Sequence, residues 1–183
     1  MSSKFLIFQG ISGAMKNIWY FIFFSMFLLA CEQPKELSSI NPVNWEKRTL
    51  KKQVSDSLIS GASYLSVYSE IYSETEHATI DLTATISLRN VNKKDTIFIS
   101  KAAYYNTHGE LIRSYFNKPI YIAPLETVEI VIDQHDEEGG TGANFLFDWK
   151  IKPNTHAPFF EAVMISTYGQ QGLSFTTQGI KVE

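Results

Sequence analysis

The chain has 183 residues, with 16 Lys and Arg against 19 Asp and Glu, a formal net charge of −3 and a single cysteine. An acidic balance with scattered lysines argues against a nucleic-acid partner. One cysteine excludes an internal disulfide.

The first 30 residues read as a lipoprotein signal peptide. Lys4 and Lys16 place positive charge there, and no acidic residue opposes it. Ile18 to Leu29 is an apolar run of the length expected for the hydrophobic part of a signal, too short to span a bilayer as a helix. The run ends in Leu28-Leu29-Ala30-Cys31, the pattern of a lipobox in which the cysteine is acylated and becomes the new N-terminus. More than one acyl chain, palmitate for example, holds a protein on a membrane without any spanning segment. Removing residues 1–30 leaves 14 basic and 19 acidic residues, a mature charge of −5. The expected location is the bacterial cell envelope, facing the periplasm. Glu32 after the cysteine favours the outer membrane over the inner.

Residues 31–60 are expected to be a flexible tether. Pro34, Pro42, several serines and the run Glu46-Lys47-Arg48 with Lys51-Lys52 show no sustained apolar period, and such a composition buries too little surface to order itself. Trp45 and Leu50 are the two residues in it suited to pack on the body. Lys47, Arg48, Lys51 and Lys52 read as a solvated spacer in preference to a headgroup contact.

Residues 61–183 are long enough for one domain with its own core. Tyr64 to Tyr68 opens as a strand. Thr79 to Arg89 alternates cleanly, with Ile80, Leu82, Ala84, Ile86 and Leu88 on one side; a slip of one residue would turn that whole set to water. Further strands are expected at Thr96 to Tyr105, at Leu111 to Phe116, at Ile120 to Ile122 and Thr127 to Asp133 as one strand interrupted by Pro124, and at Phe145 to Ile151, Phe159 to Thr167 and Leu173 to Lys181. Gly109, in Asn106-Thr107-His108-Gly109, supplies a positive φ for a hairpin turn, and Pro124 marks an edge or break. Seven or eight short strands without a long helix predict an all-β fold, an antiparallel β-sandwich of immunoglobulin-like or related topology.

The candidate binding loop is acidic and glycine-rich. Asp133, His135, Asp136, Glu137 and Glu138 precede Gly139-Gly140-Thr141-Gly142, and Asn144 is placed to staple the loop by bonding backbone amides. The glycines are expected to adopt φ > 0, and Phe145, Phe147 and Trp149 then form one buried aromatic row. The carboxylates with His135 are an alternative site for calcium or zinc, although the spacing is not that of an EF-hand. A solvated acidic turn accounts for the same composition. His77, His108, His135 and His156 lie in expected loops, and no Gly-x-Ser-x-Gly elbow or phosphate-binding glycine loop is present. The chain is therefore expected to be no enzyme and to need no cofactor. Tyr64, Tyr68, Tyr72, Tyr104, Tyr105 and Tyr115 are a candidate contact face for a protein or a glycan.

Several segments together resemble a known family. They are Tyr68-Ser69-Glu70-Ile71-Tyr72, Leu82 to Asn90, Tyr104-Tyr105 with Gly109, Gly139 to Trp149, Glu161 to Ile165 and Gly172 to Phe175. The body between Tyr64 and Lys181 resembles domain-of-unknown-function family 3124, a set of bacterial secreted and lipid-anchored proteins. Glu70 stands where members of that family often carry a histidine. The resemblance implies a domain boundary and brings no activity with it. The expected function is a lipid-anchored envelope module that binds a partner or supports structure.

Overall fold

A computed structural model describes residues 43–50, 57–167 and 172–183. The chain divides into two units, Met1–Glu36 and Leu37–Glu183, and every described residue belongs to the second. The expected signal peptide, Cys31 and the tether residues 32–42 and 51–56, Lys51 and Lys52 among them, lie outside the described residues.

Twelve strands run through the described residues: β1 (Ile59–Val67), β2 (Glu70–Ser73), β3 (Thr75–Asp81), β4 (Thr83–Arg89), β5 (Ile97–Tyr105), β6 (Leu111–Ser114), β7 (Ile120–Ile122), β8 (Thr127–Ile132), β9 (Ala143–Ile151), β10 (Phe159–Ser166), β11 (Leu173–Gln178) and β12 (Ile180–Lys181). One sheet has the order β12-β1-β9-β5-β6, with β7 also on β5; the second is β11-β10-β4-β8; β2 and β3 form a separate ribbon. Each pairing is antiparallel. The expected all-β sandwich is the fold.

The core lies where the two sheets turn their apolar rows inward. Phe145, Phe147 and Trp149 alternate along β9 and are buried, and Phe147 stacks on Phe160 of the other sheet with ring centroids 4.1 Å apart. Leu82, Ala84, Ile86 and Leu88 are fully buried, as their alternation requires. Gly61 lies under the Trp149 ring, which occupies the space a Cβ would need, and the indole N–H donates to Ser63 Oγ at 3.0 Å. Thr177 Oγ1 donates to the Ser66 carbonyl at 2.5 Å, joining β11 of one sheet to β1 of the other.

Two expectations are corrected. Thr79 to Arg89 is not one strand: it breaks at Leu82, whose N–H donates to the Ser69 carbonyl at 2.8 Å. Residues before the break pair with β2 in the ribbon, and those after it enter the sandwich. The alternation continues through the change of sheet, so the pattern carries no sign of it. The strand count also exceeds seven or eight, because Thr79 to Arg89 divides between β3 and β4, Leu173 to Lys181 divides into β11 and β12, and β2 has four residues, too few for alternation to register.

Within the stretch expected as tether, Trp45–Arg48 forms a 3-10 turn capped by the Asn44 side chain. Trp45 is buried, with Phe116 and Tyr115 rings 5.1 and 6.4 Å away. Thr49 bridges to Ile120, and Arg48 pairs with Glu126 at 2.8 Å. No helix among the described residues is long and apolar enough to cross a membrane.

Strand directions define two ends. β1, β5, β8 and β10 start at one end, where β4, β7 and β9 finish; the loops 90–96, 123–126 and 152–158 gather there. The β2–β3 ribbon, the turn 106–110 and the loop 133–142 occupy the other.

Candidate functional site

The acidic loop is built from the neighbouring turn upwards. Asn106 Oδ1 accepts the backbone N–H groups of His108 and Glu110, each at 2.9 Å, and Gly109 takes the expected positive φ, 78°. This holds Thr107 towards the loop. Its N–H and Oγ1 both donate to the Gly139 carbonyl at 3.1 Å, and its Oγ1 accepts Gly142 N–H at 2.9 Å. Ser69 donates to the Gly140 carbonyl through N–H at 3.3 Å and Oγ at 3.2 Å. Thr107 and Ser69 therefore supply the staples expected of Asn144, which lies in β9 opposite Ser66 and Tyr105.

The glycines have different jobs. Gly140 alone in the loop has a left-handed backbone, φ 71°. Gly139 is required for close approach, since a Cβ there would overlap the Tyr104 hydroxyl and meet Ala143 Cβ at 2.9 Å. Glu137–Gly142 forms a 3-10 segment kinked at Gly140.

Arg113 of β6 is a residue beside the loop that the sequence did not single out. Its guanidinium pairs with Asp136 at 2.8 and 3.1 Å and with Glu138 at 2.7 Å, and it lies over the Tyr104 ring, 5.7 Å from the centroid. The Asp136 side chain is fully buried, that of Arg113 is 17% exposed, and that of Glu138 is 65% exposed. Burial alone would lower the Arg113 pKa; the bonds to Asp136 and Glu138 outweigh it and hold the group above its ordinary value. Beneath, burial raises the Tyr104 phenol well above the tyrosine range, and nearby Asp136 adds to it. Tyr115 is raised likewise, by burial first.

The loop thus divides the expected site residues. Asp136 turns inward. Asp133 Oδ1 accepts the His135 backbone N–H at 3.1 Å and contacts its ring Nδ1 at 2.9 Å. His135, Glu137 and Glu138 face solvent. The carboxylates do not converge on a common point: Arg113 takes up Asp136 and Glu138, and among the described residues no group of three or more His, Cys, Asp or Glu is arranged to hold a metal ion.

The expected tyrosine face is absent. Tyr104 and Tyr115 are core residues, with Phe145 stacked on both at 4.8 and 5.7 Å, and Tyr68 packs on Phe175. Tyr72 is 61% exposed, alone of that set. A tyrosine sequence pattern does not separate ring-in from ring-out, because an amphipathic ring suits both. A cleft of about 660 Å³ lies between Asn44–Trp45 and Tyr115–Phe116, away from the loop.

A family described as "Protein of unknown function (DUF3124)" has a model that matches residues 60–182. The crystal structure of Thermotoga maritima 1070 is similar over 66% of this chain and 92% of that one, at 7% identity and a TM-score of 0.42. No curated protein matches.

Proposed function

We propose, from the premise that this chain belongs to the DUF3124 family over residues 60–182, that it is a lipid-anchored binding module of the bacterial cell envelope, facing the periplasm, and not an enzyme. The observation that carries the anchor is the apolar run that stops at Leu28-Leu29-Ala30-Cys31, where the chain's one thiol stands. The loop Asp133 to Asn144 is the contact surface for an envelope protein or glycan. Its support is preorganisation: Thr107 and Ser69 fix its backbone while His135, Glu137 and Glu138 stay exposed. A loop already held in one shape loses little entropy on binding.

Mass spectrometry of the protein from its host is expected to find Cys31 as an acylated N-terminus, and Cys31→Ser is expected to retain residues 1–30 and take up no labelled palmitate. An unmodified Cys31 in the wild type would overturn the anchor. For the contact surface, a pull-down from membranes with the acylated protein is expected to recover a partner that His135→Ala with Glu137→Ala loses. Equal recovery by that variant would remove the loop from the interface.

A further inference from the structure

The end of the sandwich opposite the acidic loop is knitted together by two buried asparagines. Asn90 Nδ2 donates to the carbonyls of Asp95 (2.8 Å), Ile122 and Ala123 (3.0 Å each). Its Oδ1 accepts the backbone and side-chain N–H groups of Asn92 at 3.0 Å. Asn92 in turn donates to the His156 carbonyl at 2.9 Å and accepts the His156 N–H at 2.8 Å. Three loops, 90–96, 123–126 and 152–158, are thereby held as one surface.

That surface combines cations with exposed apolar side chains. Leu125 is 66% exposed and Val91 44% exposed. Leu125 has φ 57°, and its N–H donates to the Asn92 carbonyl at 3.1 Å, which sets it beside the Val91 to Lys94 stretch. Two carboxylates of these loops are paired: Lys152 with Asp95 at 2.9 Å and Arg48 with Glu126 at 2.8 Å. Lys93 and Lys94 are exposed and have no ion pair among the described residues. The opposite end carries Glu70, Glu74, Glu76 and Asp81 on the ribbon, besides the carboxylates of the loop.

We propose that this Val91–Lys94 and Leu125 surface docks on an anionic phospholipid membrane, with the acidic end pointing away. Lysines near an anionic leaflet are attracted to its surface charge, and apolar side chains on rigid loops enter the headgroup region beside them. Carboxylates at the far end are repelled by the same leaflet, so one orientation is favoured. The inference rests on the anchor proposed above, which keeps the surface near lipid. Only 14 residue steps separate Cys31 from the buried Trp45, so the body stays within ~50 Å of the acylated cysteine even if that stretch is fully extended.

The test uses the acylated protein carrying Leu125→Cys, labelled with a polarity-sensitive fluorophore, in phosphatidylcholine vesicles with and without phosphatidylglycerol. Emission is expected to shift to the blue only when phosphatidylglycerol is present, and not for label at Glu137→Cys. Adding Lys93→Glu with Lys94→Glu is expected to shift the docked-to-free ratio at least tenfold towards free. Equal emission on both vesicles, or equal shifts at both positions, would overturn the docking. A shift that needs no vesicle and grows with protein concentration would assign the surface to a second copy of the chain and also overturn it. Label appearing on Cys31 would show that residue unacylated, a failure of the anchor and not of the docking surface.

Discussion

Arg113 holds one fully buried carboxylate and one largely exposed one, and the two respond differently to its loss. Arg113→Ala leaves Asp136 charged in the interior with no cation beside it, a change expected to cost about 3 kcal/mol of stability. Glu138→Ala removes only a partner at the surface and is expected to cost less than about 1 kcal/mol. Urea unfolding midpoints of the two variants check the contrast; equal losses would contradict it. Tyr104 and Tyr115 add a dependence on base. Each phenol holds its proton more tightly in the folded chain than at the ordinary value of 10.0. The unfolded chain therefore loses these protons first, so stability holds up to about pH 10 and falls as pH rises further. Unfolding followed against pH should show that decline, weakened in Tyr104→Phe with Tyr115→Phe. The acidic residues were visible along the chain from Asp133 to Glu138. Arg113 was not, because it lies 23 positions from Asp136 and reaches it only through the strand register that sets Arg113 opposite Tyr104.

At the scale of elements, the asparagine network makes a collective prediction. Asn92→Ala removes the acceptor for His156 N–H and a donor to Asn90, and is expected to cost about 2–3 kcal/mol. Amide exchange should then quicken together in 90–96, 123–126 and 152–158, while β9 stays protected; quickening confined to 90–96 would show the loops to be independent. The strands of the sandwich were legible because each buries one row: Phe145, Phe147 and Trp149, or Ala84, Ile86 and Leu88. The β2–β3 ribbon was hidden because it stands outside the sandwich, with β3 mostly exposed and no inward row to read. Asn90 to Asp95 is a polar connection between β4 and β5. That Asn90 and Asn92 are buried depends on carbonyls from Ile122, Ala123 and His156, more than thirty positions away, and no local pattern encodes those partners.

The described body is a sandwich whose ends differ in charge: Lys93 and Lys94 stand beside Leu125 at one, and the carboxylates of the ribbon and the loop at the other. Both proposed surfaces depend on that separation, the membrane-facing one on Lys93, Lys94 and Leu125, the partner-facing one on His135 and Glu137. Composition alone shows a modest net charge, since it averages over two poles that only the strand directions separate. The same connectivity has a consequence in time. β1 lies between β9 and β12, with Ser63 opposite both Phe147 and Lys181. A ribosome that has finished β1 still has most of the body to make before either flanking strand exists. Strand β1 thus waits with both edges bare, and the long loop closure that ends the wait makes folding slow and the nascent chain prone to mispairing until β9 and β12 have been made.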